Sequence, residues 1–189
     1  QYHVAMGTIV RLALYVGEQE APPLFAVARD RIDSLAGQLT HYGRDGEIAR
    51  LNEAPAGTWQ PVSADLARVL TGSLGISRVT GGAFDPALGA LTALWGFPEA
   101  TQPPTPTALD SVLRRSGVQH IGWSDGRVRR GPGVQFDLGA AAKGYIVDAA
   151  VRALRDAGAP AGVVEAGGDL RFWGRKPDGR PWRFGVQHP

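Results

Sequence analysis

Two periodicities meet near the start of the chain, and their order restricts the fold more than any other feature. Val10, Leu12, Leu14 and Val16 alternate with Arg11, Ala13 and Tyr15, the period of a strand with one buried face. The stretch APPLFAVARDRIDSLAGQL then changes period. Leu24, Ala28, Ile32, Leu35 and Leu39 form a single apolar stripe, and Pro22 and Pro23 suit the first turn of a helix.

Further along, elements of both kinds keep alternating. The polar stretch 40–61 reads as a long loop with a short helical turn near DGEIARLN, and irregular stretches of that length in compact domains are often functional. Ser63 is placed to cap a second helix with Leu66, Val69, Leu70 and Leu74 inward and the Gly81-Gly82 pair at its end. A short helix is expected at ALDSVLRRSG, and Asp125-Gly126 between strand-like flanks predicts a hairpin. Residues 142–157 predict a helix burying Ile146, Val147, Ala150, Val151 and Leu154 and stopping at Gly158. AGVVEAGGDLRFWG and PWRFGVQ read as strands, joined by a turn at Pro177-Asp178-Gly179. Helices interspersed with hairpins favour a mixed α/β (α+β) fold, rich in antiparallel sheet, over a doubly wound parallel sheet. TQPPTPT is a surface linker too short to separate independent domains, so residues 1–189 are expected to form one domain.

Composition removes several functions. The net charge of +2 and the lack of any basic run longer than RVRR at 127–130 argue against nucleic acid. With no cysteine there are no disulfides, thiolate metal sites or cysteine nucleophiles. No apolar run reaches membrane-spanning length. No pair among His3, His41, His120 and His188 has zinc-ligand spacing, and there is no G-x-S-x-G elbow.

Residues that a plain core would not need concentrate in a few stretches. In TGGAFDPALGALTALWGF, Phe84 offers a flat apolar face and Asp85 a charge beside it, which together suit a planar heterocycle with N–H donors. Equally, Asp85 can cap a helix with Pro86 at its first position. In FDLGAAAKGYIVDAA a strand-like run ends at Asp137 and a helix opens, presenting free N–H groups to an anion. Lys143, in the first turn of that helix, is unfavourable against the dipole unless an anion is near. The spacing is neither a P-loop nor a dinucleotide fingerprint, and a well-capped helix is an equal account of it. AMGT, THYGRDGEIARLN and EAGGDL complete the set, with Tyr42 able to stack on a ring and Asp45, Glu47, Arg50 and Asn52 able to order the loop.

In this order and register, AMGT, THYGRDGEIARLN, TGGAFDPALGALTALWGF, FDLGAAAKGYIVDAA and EAGGDLRFWG…GRPWRFGVQHP resemble the ApbE family of FAD:protein FMN transferases, over nearly the whole chain. The resemblance implies an ApbE-like, T-fold-related architecture. It implies a Mg2+-dependent reaction that joins the FMN half of FAD to a Thr or Ser hydroxyl of an acceptor protein and releases AMP. FAD contacts are implied at Met6, Tyr42, Ala83, Phe84, Asp85, Asp137 and Lys143, and a metal ligand at Ala140 through its backbone carbonyl. No catalytic base is assigned. Family members continue into a second half with an Asp-x-x-x-Thr-like run that supplies side-chain metal ligands, and no such run appears late in this sequence. The expectation is therefore an N-terminal, FAD-cradling part whose metal-ligating half lies elsewhere, beyond Pro189 or on a second chain. The same resemblance implies export, with any signal or lipid anchor outside these residues. Mg2+-dependent hydrolysis of FAD to FMN and AMP, and flavin binding without turnover, are the alternatives.

Overall fold

A computed structural model describes residues 1–40, 45–96 and 102–185. In chain order the elements are β1 (Tyr2–Ala5), β2 (Thr8–Leu14), α1 (Ala21–Leu39), α2 (Glu47–Glu53), β3 (Gln60–Pro61), α3 (Ala64–Val79), α4 (Gly89–Trp95), α5 (Pro106–Leu113), β4 (Ile121–Ser124), β5 (Arg127–Arg130), α6 (Gly139–Asp156), β6 (Gly162–Ala166) and β7 (Asp169–Trp173). They form two compact units. The first combines Gln1–Ala36 with the chain from Lys143 onward, and the second is Gly37–Ala142. No described helix is long and apolar enough to cross a membrane.

The first unit is built on a four-stranded antiparallel sheet in the order β1-β2-β6-β7. The alternation seen in the sequence fixes its faces. Val10, Leu12, Val164 and Ala166 are buried, while Arg11 turns outward opposite Glu165. Leu24, Ala28, Ile32 and Leu35 of α1 and Ile146, Val147, Ala150, Val151 and Leu154 of α6 are buried as the stripes required. α6 ends on Gly158 at φ 93°, where Ala159 N–H reaches back to the Leu154 carbonyl at 2.9 Å.

The second unit holds a small antiparallel sheet in the order β3-β5-β4. Its hairpin turns through Asp125 (φ 49°) and Gly126 (φ 69°), the left-handed pair that a tight two-residue turn demands. Ser63 caps α3 by accepting from Leu66 N–H at 3.1 Å. The Glu47 carboxylate accepts from both the N–H and the hydroxyl of Ser63, each at 2.6 Å, so the start of α2 is tied to the start of α3.

Three local expectations are corrected. α6 starts at Gly139, not Ala142, because the Leu138 carbonyl accepts from Ala141 and Ala142 N–H and the three alanines favour helix strongly. Phe136 and Asp137 belong to no strand: Leu88 and Gln135 form only an isolated parallel bridge, and the backbone of Phe136 pairs with a side chain instead. Residues 181–185 of PWRFGVQ are irregular; Trp182 and Phe184 cluster with Phe172 and Tyr15, at ring separations of 5.1–6.1 Å.

Candidate functional site

In the second unit, the DPALG loop and the approach to α6 lie side by side. Asp137 N–H donates to the Pro86 carbonyl at 2.9 Å, and Gly89 N–H donates to Gln135 O at 2.8 Å. The contact is close enough to need glycine. A Cβ on Gly89 would stand 2.9 Å from the backbone oxygens of both Gln135 and Phe136. Gly89→Ala is therefore expected to cost about 1–3 kcal/mol by forcing the two segments apart, read as a lower thermal midpoint; an unchanged midpoint would contradict this packing.

Two side chains from elsewhere in the unit hold the same approach. Asn52 pairs with both backbone groups of Phe136, donating through Nδ2 to its carbonyl at 2.9 Å and accepting its N–H at 2.7 Å. The Arg130 guanidinium donates to the carbonyls of Leu51 (3.0 Å), Val134 (3.0 Å) and Ala54, joining the end of α2 to the segment before Phe136. Burial pulls its pKa below the usual arginine value, yet a guanidinium stays cationic at neutral pH.

Asp85 and Asp137 are anchored on these adjoining segments. Asp85 accepts from Ala87 N–H at 2.8 Å through one oxygen and from Val118 N–H at 3.0 Å through the other. It does not cap α4, which begins four residues later at Gly89, so that expectation is corrected to an Asx-type turn. Before it, α3 closes on Gly81 and Gly82, both left-handed, with Gly82 N–H on the Ser77 carbonyl at 2.8 Å. This turn presents Ala83, which is exposed, and Phe84, which is half-buried. Asp137 accepts from Gly139 N–H at 2.9 Å and from the Thr92 hydroxyl of α4 at 3.0 Å. It thus serves the helix start and keeps a defined orientation. Ala140 is exposed in the first turn of α6.

In the first unit, Met6 sits in the β1–β2 turn with φ 54°, followed by Gly7 at φ 68°. The left-handed region is uncommon for a methionine and marks a position fixed by the turn. The β6–β7 turn, Gly167 (φ 54°) and Gly168 (φ 97°), lies at the same end of the sheet, because Val10 faces Ala166. A Cβ on Gly167 would come within 2.8 Å of the Thr8 hydroxyl. Lys143 reaches this hairpin. Its ammonium lies 3.4 Å from Asp169 Oδ2 and 3.5 Å from the Gly167 carbonyl. With α6 starting at Gly139, Lys143 stands beyond the first turn, so the anticipated conflict with the helix dipole largely disappears. Its charge is met by Asp169 in any case.

Tyr42 and His41 lie outside the described residues. Asn52, Glu47 and Arg130 order the backbone, a role that sequence reasoning gave to Glu47 and Asn52 but not to Arg130. Thr92 and Asp169 lie within the quoted stretches TGGAFDPALGALTALWGF and EAGGDL, but no spacing there gives either a chemical signature. For a metal, the described residues hold no group of three or more His, Asp or Glu side chains able to bind an ion. The neutral Ala140 carbonyl alone does not fit a Mg2+ site, which needs about six oxygens.

The ApbE family model matches residues 6–189. An FAD:protein FMN transferase of Salmonella typhimurium is 31% identical over 97% of this chain and 55% of its own length. One of Rhodobacter capsulatus is 33% identical over 87% of this chain and 34% of its own. Among solved structures, the flavin transferase ApbE from Vibrio cholerae superposes with a TM-score of 0.93 at 27% identity, covering all of this chain and 63% of that one. The apo flavinyl transferase ApbE of Pseudomonas stutzeri gives 0.90 at 28% identity, over 98% of this chain and 64% of that one. This chain therefore spans about half the length of the curated relatives it matches. The mixed antiparallel fold is that of these flavin transferases, and the chain belongs to the ApbE family.

Proposed function

We propose that the protein moves FMN from FAD onto a Thr or Ser hydroxyl of an acceptor protein and releases AMP. The observation that carries this reading is the anchoring of Asp85 and Asp137: both carboxylates of the two family motifs are held on adjoining segments by backbone N–H donors. A plain surface carboxylate needs no such fixing. The relatives at 31% and 33% identity are FAD:protein FMN transferases.

In the proposed reaction the acceptor oxygen bonds to the FMN-side phosphorus, the bond to the bridging oxygen breaks, and AMP leaves with that oxygen. The hydroxyl proton passes to a base that no described residue is assigned to supply. Rate comes from positioning and charge neutralisation rather than from protein covalent chemistry. Met6, Tyr42, Ala83, Phe84, Asp85, Asp137 and Lys143 are the proposed FAD contacts. Phe84 offers an apolar face to a flat ring, and the Asp137 carboxylate is the proposed acceptor for a ligand O–H or N–H. Lys143 is the proposed partner of the diphosphate; its ammonium makes only long contacts with Asp169 and Gly167, leaving a donor for a phosphate oxygen.

Magnesium is proposed from the family resemblance, with Ala140 as one ligand and the side-chain ligands outside the described residues. A lipid-anchored, exported location is proposed on the same ground.

The test incubates the full-length protein with FAD, Mg2+ and an acceptor carrying a target threonine, followed by a denaturing gel. Acceptor fluorescence that survives denaturation is the expected result. Free FMN and AMP with a dark acceptor would assign hydrolysis instead, and intact FAD would leave binding alone.

A further inference from the structure

We infer that Asp169 is a positioning residue for the diphosphate of FAD, acting through the ammonium of Lys143. The inference rests on the proposal that Lys143 partners that diphosphate. A lysine meets a phosphate as a point charge on a flexible four-carbon stem, so its use depends on where the stem is held. Left alone, the stem spreads the ammonium over many rotamers.

The β6–β7 turn limits that freedom. Lys143 projects from α6 with its Nζ 3.4 Å from Asp169 Oδ2 and 3.5 Å from the Gly167 carbonyl. Both acceptors belong to one turn, and the turn is itself fixed. Gly168 N–H donates to Glu165 Oε1 at 2.9 Å. Gly167, at φ 54°, lies so close to Thr8 that a Cβ would stand 2.8 Å from its hydroxyl. An ammonium has three donors, and acceptors at two of them set the direction of the third.

Asp169 acts on a bound phosphate in two ways of opposite sign. Holding the ammonium spares the ligand the cost of ordering it, about two- to twelvefold in affinity. The carboxylate also repels the phosphate. A phosphate oxygen on the far side of the ammonium stands farther from Asp169 than the ammonium does, with water and salt to screen it. Holding therefore outweighs repulsion. Side-chain exposures of 32% for Lys143 and 49% for Asp169 make the pair a minor contributor to folding.

The experiment titrates the full-length protein with FAD by flavin fluorescence and records thermal midpoints in parallel. Asp169→Asn is expected to weaken FAD about fivefold, with the midpoint little changed. Asp169→Glu, which keeps the carboxylate, is expected to bind FAD more tightly than Asp169→Asn. In a Lys143→Ala background Asp169→Asn should weaken FAD no further, because the group it places is gone. Tighter FAD binding by Asp169→Asn would overturn the inference: the carboxylate would then compete with the phosphate for the ammonium. An equal loss with and without Lys143, or no advantage of Asp169→Glu over Asp169→Asn, would also overturn it, since the effect would not pass through the ion pair. If Lys143→Ala weakens FAD and Asp169→Asn does not, the inference on Asp169 fails alone. If Lys143→Ala leaves FAD affinity unchanged, the proposal that Lys143 partners the diphosphate fails, and this inference with it.

Discussion

Replacing Asn52 by alanine or leucine is expected to remove about 3 kcal/mol of stability, a large share of what holds a domain folded. Phe136 is fully buried, and its N–H and carbonyl are both paired with the Asn52 side chain at 2.7 and 2.9 Å. Removing the amide strands a buried donor and acceptor together, each costing about 1–3 kcal/mol, offset in part by water entering where Asn52 is half-buried. Leucine keeps most of the volume, so a similar loss in both variants assigns the effect to hydrogen bonding. Chemical denaturation measures it. A loss below about 1 kcal/mol would mean that Phe136 finds other partners.

The second large effect concerns the ligand. Asp137→Asn keeps an acceptor for Gly139 N–H but removes the charge, and is expected to weaken FAD by about ten- to a hundredfold. Lys143→Ala removes a cation that is about one-third exposed and loosely held by Asp169. Its cost to FAD affinity is expected to be about tenfold, and to grow smaller as salt rises. Isothermal titration of each variant against FAD decides the matter. Should both substitutions leave affinity and turnover intact, neither residue touches FAD.

Much of the fold was legible because it rests on local rules. The α1 stripe, the Ser63 cap, the Asp125-Gly126 turn and the Gly158 stop each depend on residues within a turn or two of one another, and each stands as read. The failures depend on distant partners. Phe136 looked like a strand residue, but its backbone partner is a side chain 84 positions away. The start of α6 is a local exception: the helix opens at Gly139, whose N–H donates to the Asp137 carboxylate two residues before it. Trp182 and Phe184 carried the composition of a strand, yet they contact neighbouring rings rather than pair, and Phe184 stays exposed.

In the candidate site, residue types were legible but their restraints were not. Asp85, Asp137 and Lys143 stood out by charge beside glycine and alanine. That Val118 N–H holds Asp85, Thr92 holds Asp137 and Asp169 faces Lys143 are long-range facts with no local pattern behind them. Met6 in a left-handed turn was equally hidden, since methionine seldom marks such a position.

One measurement bears on the central claim most directly. The full-length protein is mixed with FAD, Mg2+ and an acceptor domain bearing a single candidate threonine, and the acceptor mass and the AMP released are followed together. Flavin transfer predicts an acceptor that gains the mass of FMN less water, with one AMP appearing for each acceptor modified. AMP and free FMN accumulating beside an acceptor of unchanged mass would contradict it.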